Sequence, residues 1–363
     1  MNIGIIGGGQ LAKMMILAGY PMAQEFVVLD PAEDSAAGQV AKQIVGNYDD
    51  PEKLSALAKQ VDVVTFDFEN VPANAITQLE KQVSVFPNAK ALANSQDRLN
   101  EKNLFVKLGI PTPAFRQIDS LQDLDTALEA LGTPAVLKTR TLGYDGKGQF
   151  VIRDKDETNT AWKALNEQPS ILEEFVKFDH EASIIAVRSQ RGDIAYYPLV
   201  HNTHKNGILR LSIAPFEDLM LQAEAEAAVR PILKEFDYVG VLALELFVKN
   251  GNLLANEIAP RVHNTGHWTI EGASVSQFEN HLRAITGLPL GTTEAHSYAA
   301  MINFISKLPP VEEILSIPGC HYHNYGKKPR EGRKLGHVTL RASTMEKLQN
   351  KIDGIFEIID DQN

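Results

Sequence analysis

Residues 135–152 read AVLKTRTLGYDGKGQFVI, two apolar strands joined by a loop with three glycines. The first strand carries Lys138, the loop occupies Gly143–Gln149, and the second strand begins at Phe150. Glycines let backbone N–H groups in such a hairpin approach a polyphosphate closely, while Lys147 and Lys138 supply positive charge. Because a strand follows the glycines and not a helix, this is not a Walker loop. The stretch predicts a lid over nucleotide phosphates, with a mobile surface hairpin as the alternative.

Two glutamates further along the chain interrupt apolar strands on either side of Asn250-Gly251-Asn252. Glu245 lies in Leu242–Val248, and Glu257 lies in Leu253–Ala259. A three-residue loop would make the two carboxylates face each other, whereas a two-residue loop would place them on opposite faces. Like charges paired in an apolar sheet are unfavourable unless a cation lies between them. The pair predicts a Mg²⁺ site completed by phosphate oxygens, with solvated edge-strand acids as the alternative.

The segment after this hairpin is dense in hydrogen-bonding groups. Residues 260–269 read PRVHNTGHWT and include one of the two tryptophans of the chain. Such density in a loop favours a functional site. Structural histidines are also common, so the roles of His263 and His267 stay open from the residues alone.

Strand-like and helix-like segments alternate through residues 1–90, which is typical of an α/β doubly wound parallel sheet. Gly7–Ala12 fits the dinucleotide fingerprint, and Asp30 ends the second strand where a ribose-binding acid would lie. An NAD-dependent dehydrogenase is therefore one hypothesis. Glycines at a helix N-terminus suit any phosphate-bearing ligand, or a tight turn without a ligand.

The length of 363 residues exceeds what one core supports, about 250–300 residues, so more than one domain is expected. We predict an N-terminal domain at 1–95, an α+β domain at 96–294 with a lid subdomain at about 135–200, and a small C-terminal domain at 295–363. Ser95 is predicted to cap the start of a helix that runs to Leu108.

The composition excludes several classes of protein. A formal charge of −11 disfavours binding to nucleic acid. No apolar run approaches the ~18 residues that a membrane span needs, and no basic leader precedes the first strand, so we expect a cytoplasmic protein. The single cysteine, Cys320, excludes an internal disulfide and disfavours a zinc cluster, which needs further thiolates. An anionic ligand then needs a local basic site, which the segment from Lys327 to Lys334 supplies with five cationic residues.

Together these motifs resemble the ATP-grasp superfamily, and within it the 5-(carboxyamino)imidazole ribonucleotide synthase family of purine biosynthesis. The resemblance spans nearly the whole chain. It is most specific in the glycine loop at 143–149 and in the segment at 261–268, and weaker near the N-terminus. Ala12-Lys13 departs from the more usual Gly-Arg, and the segment from Lys327 to Arg333 is one residue shorter than expected.

The resemblance implies roles for individual residues. Those expected to bind ATP are Arg98, Lys138, Gly143, Tyr144, Asp145, Gly146, Lys147, Gly148, Gln149, Glu173, Glu174, Phe175, Val176, Glu181, His204, Asn256 and Glu257. Those expected to bind the imidazole substrate are Gly8, Gln10, Glu69, Tyr144, Asp145, Arg261, His263, Asn264, Lys327, Arg330, Arg333 and Lys334, and the residue that holds its phosphate is left open among Lys327, Lys328 and Arg330. The expected catalytic residues are Lys138, Tyr144, Asp145, Arg261 and His263, and the expected Mg²⁺ ligands are Glu245 and Glu257.

The implied reaction is the ATP-dependent joining of bicarbonate to 5-aminoimidazole ribonucleotide through carboxyphosphate, with Mg²⁺ as cofactor. The product is 5-(carboxyamino)imidazole ribonucleotide. Relatives suggest a homodimer, and no nucleic-acid or membrane partner is expected. Another ATP-grasp carboxylate–amine ligase or carboxylase, or the dehydrogenase, are the alternatives.

Overall fold

The computed structural model describes residues 1–143 and 147–360, so the predictions for Tyr144, Asp145 and Gly146 lie outside the described residues. Within that part of the chain, strands and helices form three β-sheets and the layers that cover them. Short 3₁₀ helices lie at Tyr20–Met22, Lys155–Glu157 and Asn264–Gly266. None of the described helices combines the length and the apolar character that a membrane crossing requires.

The first sheet is parallel and has helices between its strands. Its elements are β1 (Asn2–Ile6), α1 (Gln10–Gly19), β2 (Glu25–Asp30), β3 (Lys42–Val45), α2 (Pro51–Ala58), β4 (Val63–Phe66), α3 (Ala73–Leu79), β5 (Ser84–Val85) and α4 (Ala89–Ser95). The strand order β3-β2-β1-β4-β5 confirms the predicted doubly wound sheet. The carboxyl ends of β2, β1 and β4 meet at one edge, where open parallel sheets bind ligands.

The second sheet is antiparallel, has four strands and carries the glycine loop. Its elements are α5 (Arg98–Lys107), β6 (Phe115–Ile118), α6 (Leu121–Leu131), β7 (Ala135–Thr139), β8 (Gln149–Ile152), α7 (Thr158–Ala164) and β9 (Ser170–Glu174). The strand order is β6-β9-β7-β8. Lys138 pairs with Gln149 across the β7–β8 hairpin, so the loop between them opens at the end of the sheet where Lys138 lies.

A nine-stranded antiparallel sheet forms the centre of the molecule. Its elements are β10 (His180–Arg188), β11 (Ile194–Tyr196), β12 (Val200–Lys205), β13 (Ile208–Ala214), α8 (Leu219–Glu235), β14 (Gly240–Lys249), β15 (Asn252–Ala259), α9 (Thr269–Gly272), α10 (Gln277–Ile285), β16 (Tyr298–Ile305), α11 (Val311–Leu315), β17 (Cys320–Asn324), β18 (Lys334–Ala342) and α12 (Met345–Asp360). The order is β15-β14-β10-β12-β13-β16-β18-β17, with β11 paired to β10. The three C-terminal strands therefore extend the central sheet.

One hydrophobic cluster joins the first and central sheets. It includes Met15 and Ile16 of α1, and Phe278 and Leu282 of α10, all buried. Burial of apolar side chains from both units fixes the carboxyl edge of the parallel sheet beside the central sheet. The domain boundaries drawn from the sequence stay a prediction.

The predicted helix start at Ser95 is wrong. Ser95 is the last residue of α4, and α5 begins at Arg98 with Asp97 as its N-cap; the Asp97 carboxylate accepts hydrogen bonds from the N–H groups of Leu99 (2.9 Å) and Asn100 (3.4 Å). Asp97 also forms an ion pair with Arg140. Both residue types cap helices well, so the sequence alone does not choose between them.

We predict that Asp97→Ala lowers the free energy of unfolding by about 1–3 kcal/mol, because it removes both the helix cap and the partner of Arg140. Ser95→Ala is the control and should change it by less than about 0.5 kcal/mol. Urea denaturation measures both, and equal losses in the two variants would contradict this assignment of the helix start.

Candidate active site

The two glutamates predicted from the hairpin face each other. Glu245 of β14 and Glu257 of β15 are direct cross-strand partners. The connecting loop has two residues, since Lys249 pairs with Asn252, and Asn250 and Gly251 both have positive φ (52° and 71°). That loop alone would have put the carboxylates on opposite faces. A β-bulge between the turn and Glu257 shifts the register by one residue and returns them to the same face.

Each carboxylate has a nitrogen donor beside it. Glu245 lies 3.1 Å from Nε2 of His263, and Glu257 accepts a hydrogen bond of 3.0 Å from Nη1 of Arg98. Burial alone would raise the pKa of Glu245, but the hydrogen bond and the charge of His263, with the charge of His204, hold that pKa below its ordinary value. Glu245 is therefore ionised at neutral pH, and it lies directly opposite Glu257.

The donor set suits Mg²⁺ in the presence of a polyphosphate. Within residues 1–143 and 147–360, no group of three or more His, Cys, Asp or Glu side chains is placed to hold a metal ion unaided. Two carboxylates are the usual protein share of a Mg²⁺ site, because phosphate oxygens and water complete the octahedron. The residues present therefore fit a metal that arrives with a nucleotide.

The second sheet contributes a lysine that a buried carboxylate fixes. Nζ of Lys138 lies 2.9 Å from Oε2 of Glu173, and Nζ of Lys102 lies 3.6 Å from Oε1 of the same residue. Burial alone would raise the pKa of Glu173, yet the two ammonium groups hold it at about 2. The Glu173 side chain is thus occupied by lysines, so any contact it makes with adenine falls to its backbone.

The end of β9 and the central sheet contribute further apolar and polar groups among the predicted residues. Phe175 is exposed and Val176 is buried just after β9. On the central sheet, Nδ1 of His204 lies 2.8 Å from the Glu181 carboxylate. Burial would lower the pKa of His204, but Glu181 and Glu245 raise it above its ordinary value. The pair can present a carboxylate and a cation to one ligand.

The segment after β15 is fixed from both sides. Arg261 pairs with Glu69 of the loop after β4, and the Arg261 charge lowers the pKa of Glu69 although burial alone would raise it. Gln277 of α10 holds the backbone of His263: its Oε1 accepts from the His263 N–H (2.9 Å), and its Nε2 donates to the His263 carbonyl (2.6 Å). Both side-chain amide atoms of Asn264 are buried without a protein partner among the described residues.

The first glycine loop binds carboxylates of its own chain. The Gly8 N–H donates to Asp30 and the Gly9 N–H donates to Asp67, both at 2.6 Å. Asp30 also accepts from the Tyr48 hydroxyl (2.9 Å). Burial raises the pKa of Asp67 to about 6. The anion-binding amides of this loop are therefore used internally, and Asp30 cannot hold a ribose as the dehydrogenase hypothesis required.

The basic cluster lies over the same edge of the parallel sheet. Lys327 donates to the Gln10 side chain, whereas the exposed Lys328 pairs with Asp34 at 2.7 Å. Burial, and then the nearby Arg333, lower the pKa of Lys327 to about 8. Of the two lysines, Lys327 thus faces the interior beside the other predicted cations, and Lys328 faces solvent.

Shared contacts bring most of the predicted residues into one region, the cleft: Arg98 joins Glu257 to Gly143, and His263 joins Glu245 to the segment after β15. The sequence did not reveal two sets of buried residues that hold the backbone of this region. Gln277 holds His263, and the adjacent Glu101 and Lys102 of α5 hold β15. Adjacent opposite charges on a helix ordinarily indicate a solvated surface, so no sequence signal marked them. Asp67 directly follows β4, and its position at the carboxyl end of a parallel strand is a signal that could have found it.

The fold and this site define an ATP-grasp protein: residues 103–278 match the family model described as the ATP-grasp domain. Residues 1–96 match the ribonucleotide synthetase preATP-grasp domain, and residues 299–351 match the phosphoribosylaminoimidazole carboxylase C-terminal domain. The chain belongs to the N5-carboxyaminoimidazole ribonucleotide synthase family. This membership contradicts the dehydrogenase alternative.

The similarity extends over full lengths. The chain is 52% identical over 360 residues to the N5-carboxyaminoimidazole ribonucleotide synthase of Pseudomonas aeruginosa, an alignment that covers 99% of this chain and 100% of that relative. The crystal structure of the Thermus thermophilus synthetase superposes with a TM-score of 0.95 at 48% identity, covering 98% of each chain. The Aspergillus clavatus synthase, in complex with ADP and 5-aminoimidazole ribonucleotide, superposes with a TM-score of 0.93 at 31% identity, covering 99% of this chain and 98% of that one.

We predict that Gln277→Met lowers the free energy of unfolding by about 2–4 kcal/mol, since it leaves the His263 N–H and carbonyl without their side-chain partner. Gln349→Met, on the exposed face of α12, is the matched control and should cost less than about 0.5 kcal/mol. Urea unfolding compares the two. A loss in Gln277→Met no larger than in the control would show that the amide does not hold the loop.

Proposed function

We propose that the chain carboxylates the exocyclic amine of 5-aminoimidazole ribonucleotide with bicarbonate, at the expense of ATP, in purine biosynthesis. The observation that carries the proposal is the pair of opposed carboxylates, Glu245 and Glu257, which Arg98 links to the glycine loop by donating to both Glu257 and the Gly143 carbonyl. Family membership supports the choice of this reaction over other ATP-grasp ligations and carboxylations.

The chemistry proceeds in two transfers. A bicarbonate oxygen attacks the γ-phosphorus of ATP, the bond to the bridging oxygen breaks, and ADP leaves with carboxyphosphate formed. The amine nitrogen then bonds to the carbon of carboxyphosphate, or to carbon dioxide released from it, as phosphate departs and the nitrogen loses a proton. No covalent intermediate with the protein is needed.

The side chains of the site act mainly by placement and charge. Lys138, held by Glu173, and Lys147 of the glycine loop contact the phosphate oxygens in our proposal. Arg261, held by Glu69, binds bicarbonate and then carboxyphosphate. Carboxyphosphate hydrolyses readily, so the glycine hairpin should close before transfer and exclude water.

The remaining nucleotide contacts follow the family pattern. Glu245 and Glu257 would hold Mg²⁺, which when bound neutralises charge on the β- and γ-phosphates. In our proposal Glu181 accepts hydrogen bonds from the ribose hydroxyls, and His204 contacts a phosphate oxygen. The segment from Glu173 to Val176 binds adenine.

The imidazole substrate occupies the other end of the cleft. We assign its phosphate to Lys327, with Arg330, Arg333 and Lys334 around it, because Lys327 faces inward and Lys328 does not. His263 contacts Glu245, one of the proposed metal ligands, so in our proposal it can bind near the reacting amine. Tyr144 and Asp145, proposed to contact the same substrate, lie outside the described residues. The cytoplasm and a homodimer are the proposed setting.

The function is tested by measuring ADP formation in bicarbonate buffer with and without 5-aminoimidazole ribonucleotide. We expect turnover that requires both bicarbonate and the ribonucleotide, with release of phosphate equal to ADP formed. Turnover with formate and glycinamide ribonucleotide instead, or with biotin, would assign the chain to a different ATP-grasp reaction.

We predict that Glu257→Gln lowers ATP turnover by at least about 100-fold, because one of two carboxylates proposed to hold the metal is lost. The Arg98–Glu257 pair is partly exposed, so the free energy of unfolding should fall by less than about 1 kcal/mol. Glu312→Gln, on the exposed side of α11, is the control. Turnover in Glu257→Gln close to that of the control would overturn the metal assignment.

We predict that kcat/KM for the ribonucleotide falls as the pH rises above about 8. Lys327 has a lowered pKa of about 8, so its cationic form, which binds the phosphate, predominates below that pH and is lost above it. Lys327→Arg keeps its charge and should move the decline to higher pH. Lys328→Met should leave the decline near pH 8, and a decline unchanged in Lys327→Arg would sink the assignment.

A further inference from the structure

The bulge in β15 decides where the Glu257 carboxylate points. Asn256 is the extra residue, since Glu245 pairs with Glu257 but the next residue of β14, Leu246, pairs with Ala255. Without the bulge, the register set by the two-residue turn would pair Glu257 with Leu244. Leu244 is fully buried in the core on the other face of the sheet.

Helix α5 holds this bulge through backbone groups on the outer edge of the sheet. Nζ of Lys102 donates to the carbonyl of Asn256 at 2.8 Å and to that of Ala255 at 3.4 Å. One residue earlier, Oε1 of Glu101 accepts from the Ile258 N–H at 2.6 Å. β15 is an edge strand, so these backbone groups have no neighbouring strand on that side. The two side chains bracket Glu257.

The same ammonium reaches the second sheet. Lys102 is 1% exposed, and its Nζ lies 3.6 Å from Oε1 of Glu173. The other oxygen of Glu173 holds Lys138 at 2.9 Å. One buried cation therefore contacts both the bulge that aims Glu257 and the carboxylate that aims Lys138. Removing one member of a buried ion network is costly, because it leaves the others unpaired.

We infer that Lys102 is a positioning residue that sets Glu257 and Lys138 relative to each other without touching a substrate. The role requires a side chain that can donate to the carbonyls of Ala255 and Asn256 and also face Glu173, and an ammonium group has three donors for this. The inference rests on the proposed function in so far as Glu257 and Lys138 serve a metal–nucleotide complex. It predicts a defect in how nucleotide binding depends on Mg²⁺, beyond any loss of stability.

The test measures ADP binding by titration calorimetry over a series of Mg²⁺ concentrations, in Lys102→Met and in the unchanged chain. We expect the Mg²⁺ concentration for half-maximal ADP affinity to rise at least fivefold, and turnover at saturating ATP to fall at least tenfold. Lys107→Met is the matched control, since Lys107 lies on the same helix but is exposed and pairs with Glu235, away from β15 and Glu173. It should leave both quantities within twofold.

Thr112→Val provides a milder second variant in case Lys102→Met does not fold. The Thr112 hydroxyl contacts Nζ of Lys102 (3.2 Å) and donates to the Ala255 carbonyl (2.8 Å). We expect it to shift the Mg²⁺ dependence in the same direction by at least twofold. A folded Lys102→Met with both quantities within twofold, or an unshifted Thr112→Val where Lys102→Met is unfolded, overturns the inference. If the unchanged chain shows no ribonucleotide-dependent turnover, the proposed function is rejected. The calorimetric comparison still tests the role of Lys102, because it uses ADP and Mg²⁺ without the ribonucleotide.

Discussion

Two carboxylates side by side on an apolar sheet are the constraint on which the rest of this molecule depends. Glu245 and Glu257 repel each other, and burial makes that repulsion stronger than it would be in water. The chain compensates with one nitrogen donor for each, His263 for Glu245 and Arg98 for Glu257, which come from the segments after and before the hairpin strands. A divalent ion that binds the two carboxylates can replace these partners. An apolar core offers no ligands for such an ion.

The same alternation of charge continues through the cleft. Lys138, Glu173 and Lys102 form one buried series, and Arg261 with Glu69 forms another. Buried ion pairs contribute little net stability, because desolvation offsets most of the attraction. Their value here is geometric: Lys138 and Arg261, the cations that we propose meet phosphate and bicarbonate, already have a fixed direction. This preorganisation also explains how a chain of net charge −11 can accept polyanionic ligands.

The sequence predicted the parallel sheet, the glycine hairpin and the facing glutamates, because each depends on local spacing. The facing glutamates were predicted for a loop of three residues, and that part of the prediction is wrong, because the loop between the strands has two residues. The bulge at Asn256 depends on Lys102 and Glu101 of a distant helix, and no local pattern reports it. The first glycine loop misled for the same reason: only the fold shows that Asp30 and Asp67 occupy its amides.

The cleft is completed by chain segments far apart in sequence. Lys327 reaches Gln10 at the start of α1, and Lys328 reaches Asp34 after β2, so the basic cluster is tied to the parallel sheet at two points. The last residue of the basic cluster, Lys334, is the first residue of β18. β18 belongs to the central sheet, and Glu245 lies on another strand of that sheet, β14. A displacement between the first and central sheets would therefore move the basic cluster relative to the carboxylates. Because Met15 and Phe278 share one core between these sheets, the packing that fixes the fold also fixes the distance over which the two substrates must meet.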